Sequence, residues 1–583
     1  MVVENLITDH IDIWTSAVKT RSTSGRGSSK KLELYGIKKL RELILELAVR
    51  GKLVPQDPND EPASLLLERI AQEKAQLVKE RKLKKPKKLP NISDEEKPFD
   101  LPNGWSWIRL NEYGEWGSGS TPKRSNSGYY DGGIPWFKSG ELKADYISES
   151  EETITELALS ETSVRYNNIG DVLVAMYGAT IGKTAILSVR ATTNQAVCAC
   201  TPFTGLSNTY LLTLLKAYKA RLIDMGAGGA QPNISREKII NTVIALPSTA
   251  EQHRIVAKVD ELMKLCDQLE QQTEDSINAH QVLVTTLLDT LTNSADAGEL
   301  MQNWARISEH FDTLFTTEES IDQLKQTILQ LAVMGKLVPQ DPNDEPASEL
   351  LKRIAEEKAQ LVKEKKIKKQ KALPPISEDE KPFEQPTGWE ICRLGELLPQ
   401  FQNGASSRGD KEGNEIVVLR LADIKDWQIS LDDTRSIVIE RKSIERYSLQ
   451  EGDVLIIRVN GSADIVGRFV TCHEDYDAIY CDHFIRMRFP VECYMPSFLS
   501  LLGSSSIIRE KIADLFISTA GQKTVNQTHI SSLITVLPPI KEQLRIINKV
   551  DELLSICNQL KVRLKESKST QLQLTDTIVK QAV

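Results

Sequence analysis

The sequence predicts an α+β protein in which two globular domains are carried by a duplicated helical framework. Fourteen residues at Gly51–Ser64 return unchanged at Gly335–Ser348, and a second echo returns Leu246-Pro247 as Leu537-Pro538. Between the echoes lie two blocks that scarcely resemble each other and that mix strand-like runs with helical stretches. A repeat of this length indicates a duplicated domain, because solenoid units span only about 20–50 residues.

Amphipathic helices make up the predicted framework before each block. Ile37, Leu40, Ile44 and Leu47 share one helical face, and their counterparts keep the spacing at Ile321, Leu324, Ile328 and Leu331. A second helix is predicted from Ala63 to about Lys85. Its lysine-rich end returns in the other copy, and it is either a solvated helix end or a contact for DNA phosphates or an acidic partner.

A heptad pattern predicts a long helix after each block. The first seam is Ile255, Val259, Leu262, Cys266 and Leu269, continuing less strictly through His280, Leu283 and Leu287; the second runs from Ile546 through Cys557 and Leu574 to Ile578. We expect two helices of about 40 residues, each about 60 Å long, that form an antiparallel coiled coil. Cys266 and Cys557 occupy equivalent seam positions, and we expect both to pack in the core.

The repeat divides the chain into five predicted segments with an internal two-fold pseudo-repeat. They are a helical region at 1–100, a globular domain at 101–247 (domain 1), a central helical region at 248–384, a globular domain at 385–538 (domain 2) and a C-terminal helix at 539–583. Strand-like runs include Asp171–Tyr177 in domain 1 and Asp453–Val459 in domain 2. Helical stretches are predicted at Tyr210–Ile223 and Pro496–Phe516.

Composition excludes several classes of protein. The net charge of −8 argues against a simple basic nucleic-acid binder, so any surface that binds a polyanion must be local. The eight cysteines form no CxxC pair, which favours reduced thiols over disulfides or a zinc site. No apolar run approaches the roughly 20 residues of a membrane span, and the N-terminus lacks a signal-like pattern. These features predict a cytoplasmic protein without a membrane segment.

No motif predicts catalysis. Gly178–Thr184 resembles a phosphate loop, but only three residues separate its glycines where that loop needs four. We expect a tight turn between two strands there, with Lys183 free to touch a phosphate, and Gly461–Gly467 as its counterpart. An Asp/Asn-Pro-Pro-aromatic tetrapeptide, GxGxxG, HExxH and GxSxG are all absent from the sequence. We therefore predict no catalytic residues, no cofactor and no metal site.

Polar loops are the candidate DNA-binding elements. Gln and Asn can pair bidentately with adenine edges and Arg with guanine. In domain 1 the candidates are Lys123, Arg124, Ser125, Lys183, Gln231 and Asn233, and in domain 2 they are Arg408, Arg458, Arg468, Lys523 and Asn526. Two other interpretations stay open. The segment around Gln231 could be a glycine-rich loop that caps a helix. About half of six arginines in domain 2 could be ordinary salt-bridge or edge-strand residues; the six are Arg408, Arg420, Arg458, Arg468, Arg486 and Arg488.

The order of motifs resembles a known family, the specificity subunits of type I restriction–modification systems. The matching stretches are Leu101–Trp105, Gly170–Leu173 with its counterpart Gly452–Leu455, Asn194-Gln195, Gln231–Ser235, Leu246-Pro247, Glu251–Ile255 and Leu537–Gln543. The resemblance covers nearly the whole chain. The long segment before each domain is similar to that of the type IB group.

This resemblance implies a non-catalytic subunit that recognises a DNA sequence. Each variable target-recognition domain would read one half of an asymmetric bipartite site in double-stranded DNA, and the conserved helices would fix the spacing of the halves. Those helices would also dock two modification subunits, and restriction subunits would join them. Adenine-N6 methyltransferase and ATP-dependent endonuclease chemistry would reside in those partners.

The alternative interpretation is a coiled-coil adaptor whose two inserts bind protein partners. The heptad seams and the negative charge motivate it. Exchange of one insert distinguishes the two, because only a DNA reader would change the methylated sequence. A nucleotide-driven enzyme built on Gly182-Lys183-Thr184 is disfavoured by the spacing of the glycines.

Overall fold

The computed structural model consists of two compact units. It describes residues 3–583 except 23–29, 82–88, 227–231, 296, 368–373, 407, 411, 426–427, 491–492 and 520. Unit 1 comprises Met1–Ser276 with Ser567–Val583, and unit 2 comprises Ile277–Glu566. The chain therefore leaves unit 1 within one long helix and returns to it within another. None of the helices in the described ranges is long and apolar enough to cross a bilayer.

Unit 1 holds the first copy of the framework and domain 1. Its helices are α1 (Val3–Thr8), α2 (Ile11–Ser16), α3 (Tyr35–Val49), α4 (Ala63–Lys79), α5 (Glu156–Glu161), α6 (Asn208–Ala217), α7 (Lys219–Gly226), α8 (Arg236–Asn241) and the start of α9 (Thr249–Thr292). Its strands are β1 (Lys19–Ser22), β2 (Lys30–Glu33), β3 (Ser106–Arg109), β4 (Gly114–Ser118), β5 (Tyr130–Phe137), β6 (Tyr146–Ile147), β7 (Glu152–Ile154), β8 (Val172–Ala175), β9 (Thr184–Leu187), β10 (Thr192–Thr193), β11 (Val197–Pro202) and β12 (Val243–Leu246).

Unit 2 holds the second copy and domain 2. Its helices are α10 (Ala297–Ser308), α11 (Phe311–Leu314), α12 (Glu318–Val333), α13 (Ala347–Lys363), α14 (Arg441–Tyr447), α15 (Pro496–Ser504), α16 (Ser506–Asp514), α17 (Gln527–Ser532) and the start of α18 (Ile540–Ala582). Its strands are β13 (Glu390–Arg393), β14 (Gln400–Asn403), β15 (Asn414–Leu419), β16 (Ile424–Lys425), β17 (Gln428–Ile429), β18 (Arg435–Ile439), β19 (Val454–Ile457), β20 (Val459–Asn460), β21 (Phe469–Thr471), β22 (Ala478–Tyr480), β23 (Phe484–Arg488), β24 (Ile517–Thr519), β25 (Gln522–Thr524) and β26 (Ile534–Leu537).

The main sheets of the two domains share a strand order. Domain 1 has the order β4-β11-β8-β9-β6, and domain 2 has β14-β23-β19-β21. Their central strands β8 and β19 are short aliphatic runs in which every residue is buried, as a strand covered on both faces requires. Each domain is closed at its base by a separate antiparallel pair, β3 with β12 and β13 with β26. The mixed α+β class predicted from the sequence is confirmed.

The fourteen-residue repeat makes the same contacts in both units. Gly51 and Gly335 both have φ of 68°, and a Cβ on either would lie 2.9 Å from a ring carbon of Trp105 or Trp389, respectively. Only glycine fits this left-handed position against a buried indole. Asp60 pairs with Arg254 at 2.6 Å in unit 1. In unit 2 the equivalent Asp344 pairs with Arg545 at 2.6 Å.

The Glu-Gln pair at the start of each long helix holds that helix to its domain. The buried Gln252 amide oxygen accepts from Ser207 N at 3.0 Å, and its nitrogen donates to Pro247 O at 3.2 Å. Gln543 accepts from Met495 N at 2.9 Å and donates to Pro538 O at 3.1 Å. The repeated residues thus form the joint between helix and sheet.

The apolar face predicted for the first helix is confirmed. Its four residues Ile37, Leu40, Ile44 and Leu47 are all buried in α3, and the counterparts are buried in α12. The second helix ends at Lys79, not near Lys85, because Arg81 takes a left-handed φ of 58° and its N–H turns back to Val78 O. Most of the lysine run after it lies outside the described residues.

The heptad seams are correct in their first halves and only partly correct in their second halves, where Ile578 is buried as predicted. Ile255, Val259, Leu262, Cys266 and Leu269 are buried, as are Ile546, Val550, Leu553 and Cys557. Farther along, Leu283 and Leu574 are exposed, and their next neighbours Val284 and Thr575 are buried instead. A straight α-helix drifts by about 20° per heptad relative to a 3.5-residue repeat, so over about four heptads the inward face shifts by one residue. The antiparallel pairing of the two helices stays a prediction.

The cysteines are structural. All eight are free and buried, which confirms the expected core packing of Cys266 and Cys557. Burial raises the pKa of the Cys266 thiol to about 11. A thiol of that kind is protonated at neutral pH and behaves as a small apolar side chain.

Candidate nucleic-acid interface

Loops at one end of the main sheet form a polar rim in domain 1. We define this rim 1 as residues 119–125, 176–183, 194–196 and 232–235. Backbone hydrogen bonds tie these loops together: Ser120 N donates to Thr193 O at 3.0 Å, Met176 N to Ala196 O at 2.8 Å and Ile234 N to Met176 O at 2.9 Å. Four segments that are distant in sequence therefore meet at one end of the sheet.

Domain 2 has a rim built on the same bonds. We define this rim 2 as residues 404–406, 408, 458–468, 481–483 and 521–526. Ala405 N donates to Tyr480 O at 2.9 Å, Arg458 N to His483 O at 2.7 Å and Val525 N to Arg458 O at 3.0 Å. Each bond has its counterpart in rim 1, although the side chains at these positions differ. The common frame is therefore specified by the backbone.

Rim 1 brings together most of the candidates predicted in domain 1. Lys123, Ser125 and Asn233 are exposed, and Lys183 is partly exposed. The guanidinium of Arg124 forms an ion pair with Glu152 and lies 4.7 Å and 5.0 Å from the ring centroids of Tyr130 and Trp136. Gln231 lies outside the described residues.

Rim 2 places its candidates in different local settings. Arg408 is exposed, and Lys523 is partly exposed in β25. Arg458 is partly exposed, and its Nη1 donates to Asp482 O at 3.5 Å, while Arg468 Nε donates to Asp464 O at 2.9 Å. Asn526 caps α17, because its Oδ1 accepts from His529 N at 2.9 Å.

Three further arginines of domain 2, Arg420, Arg486 and Arg488, are structural. Arg420 pairs with the buried Asp423 at 2.9 Å. Arg488 pairs with Asp453, whose carboxylate is almost fully buried at the start of β19. Arg486 Nη1 donates to Ser448 O at 2.7 Å. The open interpretation that about half of the six arginines form ordinary contacts is therefore confirmed.

Sequence reasoning missed several rim residues as candidate contacts. Gln195 is exposed in rim 1, where its Oε1 accepts from the Thr121 hydroxyl. Asp482 and His483 are exposed in rim 2 at the positions of Gln195 and Ala196. In the sequence, the Asn194-Gln195 pair is only a motif shared with the family, and no pattern around Asp482 and His483 marks them as candidate DNA contacts.

One group of possible metal ligands occurs among the described residues. The ligand atoms of Cys481, Asp482 and His483 lie within 4.8 Å of one another. Burial raises the pKa of Cys481 to about 11, so its thiol is protonated at neutral pH and is a poor ligand in that form. The three residues are consecutive on one loop, which limits how they can surround an ion. This group does not support a metal site.

The phosphate-loop-like segment is a turn between strands, as expected. Residues Gly178–Thr180 form a single 3-10 turn between β8 and β9. Gly182 N donates to Ala175 O at 3.0 Å, and Gly467 N donates to Ile457 O at 2.7 Å in the counterpart turn. Both glycines have φ of 76°. The expected equivalence of the two turns is confirmed.

Comparison with known proteins identifies the family. Residues 102–279 match the type I restriction modification DNA specificity domain. The whole chain is 44% identical to the complete type I restriction enzyme EcoEI specificity subunit of Escherichia coli. It is 45% identical, again over all of both chains, to the EcoAI specificity subunit of Escherichia coli. The chain belongs to the family of type I restriction enzyme specificity subunits.

A specificity subunit is the DNA sequence-recognition component of its enzyme, and the catalytic activities reside in other subunits. The function predicted from the motif order is therefore confirmed, and its assignment to the type IB group stays a prediction. A crystal structure of the HsdS subunit from Thermoanaerobacter tengcongensis is similar over 84% of this chain and 98% of that one, with 19% identity and a TM-score of 0.41.

Proposed function

We propose that rim 1 and rim 2 each read one half of an asymmetric bipartite site in double-stranded DNA. The single observation that carries this proposal is the common backbone frame with different side chains. Ser120 in rim 1 corresponds to Ala405 in rim 2, and Gln195 corresponds to Asp482. Base edges in the major groove differ in their donors and acceptors, so one frame with two side-chain sets suits two different half-sites.

The candidate residues divide by their local bonds. Those with exposed or partly exposed polar ends are proposed to contact DNA: Lys123, Ser125, Lys183, Asn233, Arg408, Arg458, Arg468 and Lys523. Arg124 and Asn526 are held by Glu152 and by α17, and they are proposed to shape the loops around the contacts. Gln231 remains a proposed contact from its sequence position. The reading domains are proposed to span 101–247 and 385–538.

The conserved helices are proposed to fix the spacing of the half-sites and to dock two modification subunits, which restriction subunits then join in the cytoplasm. Support comes from apolar side chains on their outer faces. Val282 and Leu283 on α9 are 66% and 50% exposed, and Met301 on α10 is 68% exposed. A cavity of about 530 Å³ lies beside Leu283 and is lined also by Ile307 and Leu314. Large apolar side chains exposed on a helix are typical of surfaces that bind another protein.

Exchange of one domain tests the proposal. Residues from Trp105 to Leu246 are replaced by those of a relative with another specificity, and the methylated sequence is determined in cells that express the modification subunits. We expect one half of the motif to change and the other half to stay. The reciprocal exchange between Trp389 and Leu537 should change only the second half. An unchanged motif with altered protein partners would favour the adaptor interpretation instead.

A further inference from the structure

Each rim contains a strand-connecting turn that is flanked by two cationic side chains. In domain 1, Lys183 follows Gly182, and Lys219 at the start of α7 packs against that glycine. A Cβ on Gly182 would lie 2.9 Å from Lys219 Cγ and 3.4 Å from its Cα. The absence of a side chain at Gly182 is what lets helix and turn approach so closely. The first lysine directly precedes β9, and the second begins α7.

The equivalent turn in domain 2 carries two arginines. Arg468 follows Gly467, and Arg509 on α16 donates from Nη1 to Val466 O and from Nη2 to Ala463 O, both at 2.9 Å. A Cβ on Gly467 would lie 2.4 Å from Ile512 Cγ2, one helical turn beyond Arg509. The two domains therefore repeat a turn, a packed helix and a pair of cations, although the cations are lysines in one and arginines in the other.

The cations of the two domains differ in their surroundings: the arginine side chains of domain 2 donate to backbone carbonyls and lie in the field of Asp464, whereas within the described residues the lysine side chains of domain 1 do neither. No residue of the described ranges pairs with the ammonium group of Lys183 or of Lys219. In domain 2, burial and the nearby charge of Arg468 lower the pKa of Arg509 to about 10, and Asp464 opposes this shift. The like charges of Arg468 and Arg509 raise each other's free energy, and an anion placed between them would relieve this repulsion.

The geometry favours a phosphate over a base as that anion. A guanine is recognised by two parallel N–H groups of a free guanidinium. Both terminal nitrogens of Arg509 and the Nε of Arg468 already donate to carbonyls of their own turn. A lysine ammonium is a point charge that cannot form a fork. What the two domains share at this turn is positive charge, which is the property that phosphates select.

We propose that these paired cations are the phosphate-contacting element of each domain, with Lys183 and Lys219 binding the DNA backbone at one half-site and Arg468 and Arg509 binding it at the other. The element sets the position of the rim on the duplex and is indifferent to sequence, while the remaining rim residues read the bases. This inference rests on the proposed function and adds Lys219 and Arg509 to the interface.

The salt dependence of DNA binding tests the element. The double variant Lys183→Ala/Lys219→Ala is assembled with its modification subunits and compared with the wild-type complex on cognate and unrelated duplexes. Loss of two phosphate contacts should reduce the slope of log K against log salt by about 1.8. Between about 50 and about 200 mM salt, the affinity should therefore fall by a factor roughly tenfold smaller than in the wild type. Both duplexes should respond equally, and the methylated motif should stay the same.

Lys97→Ala is the matched control. Its ammonium pairs with Asp94 at 2.6 Å in a segment that precedes domain 1, so this variant loses one charge and should keep the wild-type slope. An unaltered slope in the double variant, or a changed methylation motif, would overturn the phosphate assignment. If domain exchange still alters half of the motif in that case, the proposed function stands without it. An exchange without effect overturns both.

Discussion

Trp105 packs against Gly51 in unit 1, and Trp389 packs against Gly335 in unit 2 with the same glycine conformation and the same 2.9 Å approach. At the rims the two domains correspond in their backbone hydrogen bonds but not in their side chains. Gln195 of rim 1 is replaced by Asp482 in rim 2, and Met176 is replaced by Arg458, while the backbone bonds at these positions are retained. The framework repeats side chains, whereas most rim positions repeat only the backbone.

This difference shows which groups hold each region together. A framework joint such as Asp60 with Arg254, or Asp344 with Arg545, depends on side chains that fit each other, so neither partner can vary alone. A rim loop is held by N–H and C=O groups that every residue except proline can supply. Its side chains are therefore free to differ between the two domains. A protein built in this way can change what it reads without altering how it is assembled.

The strongest test of the framework is removal of its buried indoles. Trp105→Ala and Trp389→Ala should each destabilise their own unit by about 3–5 kcal/mol, because both leave a large cavity at a closely packed joint. Hydrogen exchange in the full chain, followed peptide by peptide, reports each unit separately. The control Tyr146→Ala removes an aromatic side chain that is 57% exposed and should change protection little. Equal loss of protection in both units from one substitution would contradict the division into two units.

A smaller effect should distinguish the two joints by their pH dependence. Burial raises the pKa of Glu542 to about 7 from its usual 4.5. Because its proton is held more tightly in the folded state, the resulting stabilisation is complete below about pH 4.5 and is lost as the pH rises through about 7. In the wild type, the free energy of unfolding should fall by up to about 3 kcal/mol between pH 5 and pH 8 because of this carboxyl, and Glu542→Gln should remove that fall.

The equivalent Glu251 provides the comparison. Burial also raises its pKa, and the hydrogen bond that its Oε2 accepts from Trp105 Nε1 at 2.9 Å opposes the shift. Trp389 opposes the shift of Glu542 as well, but its Nε1 makes no hydrogen bond of standard geometry with the described residues. Glu251→Gln should therefore flatten the pH profile of unit 1 less than Glu542→Gln flattens that of unit 2. Denaturation monitored by hydrogen exchange at several pH values measures both. Identical pH profiles for Glu542→Gln and the wild type would show that this carboxyl does not control the decline.

The framework could be predicted from the sequence, whereas the settings of the rim residues could not. The periodicity and the unchanged repeat predicted the buried face of α3, because apolar residues spaced at the helical period lie on one side of the helix. The burial predicted for Leu283 was wrong, because the small drift of the helix relative to the heptad repeat accumulates over a long helix. Arg124 and Arg408 look alike in sequence, but within the described part of the chain only Arg124 meets a carboxylate, that of Glu152 in β7. The partner of Gly182, Lys219, likewise comes from a helix that no local pattern connects to the turn.

The smallest predicted effect concerns Asn526, which sequence reasoning places among the base readers. Its Oδ1 caps α17 by accepting from His529 N, and Ser235 Oγ caps α8 at the equivalent place by accepting from Lys238 N at 3.2 Å. Asn526→Ser should preserve the cap, the affinity for DNA and the methylated motif, and Asn526→Ala should cost about 1 kcal/mol of local stability.

Methylome sequencing and hydrogen exchange of α17 measure these two outcomes. A bidentate contact with adenine needs both the oxygen and the nitrogen of the amide, so a motif that relaxes in Asn526→Ser would show that the side chain reads a base. In that case Asn526 would read a base although Ser235, its equivalent in rim 1, only caps a helix. The cap of α17 would then have to open when DNA binds.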